Sequence, residues 1–110
     1  MLAISATALA ADPCQPVFDS GSNAQVRECL GAELQKADKE LNETYRATMA
    51  GLSSSGREAL KIQERQWIKF RDKQCRVDED GGTEAYVIAD GCLVDETNKR
   101  IKAIEAFKHD

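Results

Sequence analysis

The stretch "SNAQVRECLGAELQKADKELNETYRATMAGL", residues 22–52, places an apolar residue at almost every third or fourth position. The series is Val26, Leu30, Leu34, Ala37, Leu41, Tyr45, Met49 and Leu52. An α-helix turns once in 3.6 residues, so this spacing gathers the series on one face, whereas a strand would need strict alternation. Ser22 and Gln25 have the capping-box form, which sets the start of the helix. A helix of about seven turns is therefore expected.

Working outward, "GLSSSGR" at 51–57 interrupts the pattern, and Ser55-Gly56-Arg57-Glu58 offers a second capping box. The next helix carries Leu60, Glu64, Trp67, Arg71 and Gln74 along one stripe, with Ile68 and Phe70 beside it. "VDEDGGTE" at 77–84 reads as an acidic loop; its Asp78-x-Asp80 start lacks the later ligands of a calcium loop, since the twelfth position is Ala89. A last helix runs through Val94, Thr97, Ile101 and Ile104, with Gly91 leaving open an earlier start through Ala85 and Ile88. "DPCQPVFDSGSNAQ" at 12–25 holds both prolines and reads as a loop. The expected fold is all-α: a disulfide-bonded three-helix bundle built on a long antiparallel helical hairpin.

With 110 residues there is room for one core. A chain of this size buries about 65% of its unfolded surface, so cross-links would help it. The net charge of −4 argues against nucleic acid and anionic membranes as partners and is compatible with a basic protein. "MLAISATALAADPC" resembles the end of a secretory leader, with Ala8-Leu9-Ala10 as the small-x-small cleavage pattern. Residues 1–10 are thus expected to be the remnant of a signal peptide and 11–110 the mature domain, in the periplasm or secreted. No other stretch approaches the ~20 apolar residues of a membrane span, so no membrane insertion is expected.

Cys14, Cys29, Cys75 and Cys92 contain no CxxC pair, and His109 is the only histidine. That spacing favours two disulfides over a metal site. A short turn fixes the register of an antiparallel hairpin. Placing Met49 opposite Leu60 sets Tyr45 against Glu64, Asn42 against Trp67, Asp38 against Arg71 and Leu34 against Cys75. Cys29 then lies five residues from the level of Cys75, about 7.5 Å along the axis, beyond the roughly 6.8 Å Cα limit of a bridge. Cys14–Cys29 and Cys75–Cys92 are the expected pairs.

The same register partners each polar residue of the second helix: an acid for Arg71, a phenol for Glu64, an amide for the Trp67 indole. Buried polar groups persist only when partnered, so Asp38, Asn42, Tyr45, Glu64, Trp67 and Arg71 read as a structural network. With Glu64 buried against Tyr45, Glu64→Gln would be expected to stabilise the fold, an amide costing less to desolvate than a carboxylate. A catalytic reading lacks parts: one histidine, no phosphate-cradling glycine loop, and no cleft for a carboxylate pair. Neither an enzyme nor a cofactor is expected.

Cys29, Asp38-x-x-Leu41-Asn42-x-x-Tyr45, Leu60, Trp67-Ile68-x-Phe70-Arg71-Asp72-x-x-Cys75, Cys92, Thr97 and Arg100 together resemble the small exported proteins similar to the N-terminal domain of the LprI lysozyme inhibitor. The resemblance spans residues 14 to 107. It departs at Glu64, where the family usually has Gln. It implies an exported, disulfide-bonded helical protein, with lysozyme inhibition as the activity attached to the family. Two functions follow: a binding protein that inhibits lysozyme by protein–protein contact, or a periplasmic structural or interaction module with no lysozyme target. For the first, the expected contact is the loop-bearing end, with Asp78, Glu79, Asp80 and Glu84 attracting lysozyme or another basic protein and Tyr86 as an anchor.

Overall fold

A computed structural model describes residues 13–108, and they form four helices in chain order. These are α1 (Gln15–Ser20), α2 (Asn23–Ala50), α3 (Ser54–Gln74) and α4 (Gly82–Glu105). The leader-like segment and His109 lie outside the described residues.

Local signals explain most of the boundaries. Ser22 caps α2 with the reciprocal bonds of a capping box: its hydroxyl accepts from Gln25 N, and the Gln25 side chain accepts from Ser22 N. At α3 the cap is Ser53, whose Oγ accepts from Gly56 N at 3.2 Å, so the helix begins two residues before the expected box. The acidic segment is shorter than expected. Gly82, at a φ of +68°, opens α4, and the helix then runs unbroken through Gly91. Glu84 and Tyr86 therefore stand on the first turns of a helix. The N-terminal loop also needs correcting, because α1 occupies Gln15–Ser20 with a proline in its first turn, where the missing N–H costs nothing.

All four cysteines are bridged, Cys14 to Cys29 and Cys75 to Cys92, leaving no free thiol. The first bridge seats α1 on the start of α2. Cys14, Val26, Leu30 and Val87 form one buried cluster at this end, with Val17, Cys29 and Val94 against it.

The three long helices run up, down and up, so α2 and α4 are parallel. Asn23 bonds Thr83, Arg27 bonds Asp90, and Leu41 packs with Ile101, pairs that advance together along both chains. This pair is the most closely packed in the molecule. Its buried positions include Ala37, Ala85, Ala89 and Thr97, and small side chains let two backbones approach. The hairpin partner α3 runs antiparallel to both but stands farther off. It meets them through Glu64, Trp67 and Arg71, long groups that hold the backbones apart, and its only buried residues are Gly56 and Leu60.

Candidate functional site

Two regions hold polar groups in defined arrangements: the seam beneath α3, and the disulfide-bonded end. In the seam, Glu64 Oε1 accepts from Arg100 Nε at 2.8 Å, and the two side chains are only 15% and 11% exposed. Arg71 Nη1 donates to the hydroxyl of Thr97, a fully buried residue, at 3.4 Å. It lies 3.9 Å from Asp38 Oδ1, while Nη2 is 3.4 Å from Asp72 Oδ1. The guanidiniums of Arg71 and Arg100 stand over the Trp67 ring at 5.0 and 5.8 Å from its centroid. Trp67 and Tyr45 pack against the cluster of Leu41, Ile101 and Ile104. Burial, followed by the charge of Glu64, raises the Tyr45 phenol above its ordinary pKa.

The hairpin register thus brings Asp38 near Arg71 and Tyr45 near Glu64, but the strongest pairing was not among the expected ones. Glu64 has its ion pair with Arg100 of α4. Asn42 is exposed and makes no hydrogen bond to the indole, whose neighbours are the two guanidiniums and the apolar cluster. The expectation that Glu64→Gln stabilises the fold is reversed, because the charge now answers a buried cation. A signal for Arg100 was present: Thr97, Arg100, Ile101 and Ile104 share one helical face, so Arg100 borders the buried side of α4. Arg71 Nε and Arg100 Nη2 are buried without a hydrogen-bond partner. The ring beneath both guanidiniums offsets part of that cost through cation–π attraction.

The Glu64 carboxylate of the seam is held by the Arg100 guanidinium. Among the described residues, no group of three or more His, Cys, Asp and Glu could hold a metal ion.

At the other region, Cys75–Cys92 ties the end of α3 to the middle of α4 and closes the segment between them. Asp78 organises the turn: its Oδ1 accepts from Asp80 N at 3.1 Å and its carbonyl accepts from Gly81 N at 3.0 Å. A Cβ on Gly81 would meet the Ala85 Cβ at 2.8 Å, so glycine is required at that approach. Asp78, Glu79, Asp80 and Glu84 are exposed. Tyr86 is 46% exposed, and its ring lies 4.9 Å beneath the Arg27 guanidinium, which is itself held by Asp90 at 2.8 Å. That hydrogen bond is the main cause of a raised Arg27 pKa. Ile88, which the sequence reading did not assign to this surface, is 65% exposed one helical turn beyond Glu84. Local spacing gave no signal for it, since three residues from the buried Ala85 it sits on an ordinary helical step. Tyr86 borders a groove with Asp78, Glu79 and Asp80, whereas Ile88 borders a second groove with Asp78 and Glu84, so the two exposed side chains flank the acidic turn from different sides of α4.

Comparison with known proteins supports the same family as the motif. A family described as lysozyme inhibitor LprI matches residues 14–104. An uncharacterized protein of Rhizobium meliloti (strain 1021), R02472, is 30% identical over 116 residues, covering 91% of this chain and 84% of that protein. No solved structure matches the chain.

Proposed function

Because the chain belongs to the LprI lysozyme inhibitor family, matched over residues 14–104, we propose that it is an exported, non-catalytic binding protein that inhibits lysozyme by direct contact. The family match is the observation that carries this reading. Export agrees with the two disulfides, which persist in oxidising compartments. Among the described residues, no helix is long and apolar enough to cross a membrane.

The contacting surface in this reading is the disulfide-bonded end. Asp78, Glu79, Asp80 and Glu84 attract a basic enzyme, and exposed Tyr86 and Ile88 supply contact area. Opposite charge speeds encounter, and a surface held by a disulfide loses little entropy when it binds. The seam is the poorer candidate, since its charged groups are committed to one another.

The test is lysis of peptidoglycan by a basic lysozyme, with and without the purified protein, at low and moderate salt. The wild type is expected to slow lysis, more strongly at low salt. A variant carrying Asp78→Asn, Glu79→Gln, Asp80→Asn and Glu84→Gln is expected to inhibit at least about tenfold less, because several interfacial charges are lost together. Equal inhibition by both proteins would move the contact elsewhere. Absence of inhibition by either would remove lysozyme as the target.

A further inference from the structure

The net charge of −4 hides a segregation that appears only when the exposed face of α3 is identified. Lys61, Arg65, Lys69 and Lys73 follow one another at four-residue intervals along that helix, and all are exposed. Each four-residue step drifts about 40° round the axis, so the four form a slanting row that rises about 18 Å and winds about 120° over the outer side of the helix. Among the described residues none of the four forms an ion pair, unlike Arg27, Arg71, Lys99 and Arg100. Ile62, 45% exposed, lies within the row on the side of α3 opposite Glu64, Trp67 and Arg71, and Phe70, 50% exposed, flanks it one turn from Trp67. Two acids border the row: Glu58 precedes it, and Asp72 is engaged with Arg71.

We propose that the outer face of α3 docks on an anionic phospholipid surface. A row of cations confined to about one third of the helix circumference, with exposed apolar side chains among and beside it, suits a plane of charged headgroups over acyl chains. The lysine and arginine stems can lie along the interface with their charges at the phosphates while Ile62 and Phe70 enter beneath them. An acidic protein could match the charges and bury the apolar pair too, but lysine is depleted at protein–protein interfaces and three of the four cations are lysines, which favours headgroups. The acidic residues of 78–84 follow the C-terminal end of the row and are not part of it. The association is peripheral, by one helix face, and is independent of whether lysozyme is the target.

The experiment is sedimentation of the oxidised protein with vesicles of equal parts phosphatidylglycerol and phosphatidylcholine, or of phosphatidylcholine alone. Binding is expected to the acidic vesicles at low salt, and to be lost at about 0.5 M salt, where charges are screened within a few ångströms. Lys61→Gln, Arg65→Gln, Lys69→Gln and Lys73→Gln together are expected to weaken it at least about tenfold. Removing four exposed charges elsewhere, by Lys36→Gln, Lys39→Gln, Lys102→Gln and Lys108→Gln, is expected to have a much smaller effect. Ile62→Ser with Phe70→Ser should also reduce binding, with both disulfides and helix content retained. No binding to acidic vesicles at low salt would overturn the proposal, as would equal losses in the two charge variants. Row-dependent binding to polyglutamate without vesicle binding would replace the lipid with an acidic protein.

Discussion

Glu64 and Arg100 show how one pairing changes the expected sign of a substitution. Two nearly buried charges 2.8 Å apart compensate each other's desolvation. Glu64→Gln keeps an acceptor but leaves the guanidinium charge unanswered, so a loss of about 1–3 kcal/mol is expected. Denaturant unfolding at neutral pH measures it. Replacing both residues by Glu64→Leu and Arg100→Met should recover much of the loss, because apolar groups of similar volume need no partner. Arg71 and Asp38 belong to a different class. Asp38 is 48% exposed and 3.9 Å from Nη1, so this pair contributes below about 1 kcal/mol. Arg71 itself matters more through Thr97 and the face of Trp67.

At the level of elements, the two bridges have different tasks. Cys14–Cys29 pins a six-residue helix to the start of α2, and a helix so short has little stability of its own. Cys75–Cys92 joins α3 to α4 at the end where α3 has no buried apolar side chain beyond the cysteine itself. Removing it by Cys75→Ser with Cys92→Ser is expected to cost about 3 kcal/mol, the loop-closure value for a segment of this length. Far-ultraviolet circular dichroism should remain helical below the new melting temperature, since α2 and α4 pack without it. Loss of all helix at 20 °C would mean that the bridge holds the whole bundle together.

Across the whole molecule, stability is divided unevenly. The α2–α4 pair contains Leu41, Ile101 and Ile104 at one end and Val26, Leu30 and Val87 at the other. α3 adds Leu60 and the polar seam, while Ile62, Ile68 and Phe70 face outward. Hydrogen exchange of the native protein should therefore show the central amides of α2 and α4 as the most protected, with α3 opening at lower free energy. Equal protection of all three helices would show that the seam couples α3 to the pair as firmly as apolar packing does. The same division gives the molecule distinct surfaces: an acidic end near the bridges, and a basic outer face on α3.

The all-α class, the long α2 and the bridge pairs were legible because they depend on local periodicity and chain reach. Val26 to Leu52 repeats with the helical period, the Ser22 capping box fixes one end, and the axial offset of Cys29 from Cys75 disfavours a bridge between them. Hairpin register also brought Asp38 near Arg71, because a short turn leaves little freedom. The sequence reading misplaced what depends on a third helix arriving from elsewhere. It could not say that α4 would lie parallel to α2, that Arg100 would take Glu64 from Tyr45, or that Asn42 would face outward. Nor could net charge reveal the cationic row on α3, because a sum over the chain carries no position. Periodicity determines which face of a helix is apolar, whereas only the packing of small residues such as Ala37, Ala85 and Ala89 decides which two helices approach closely and which one is held off by its long polar side chains.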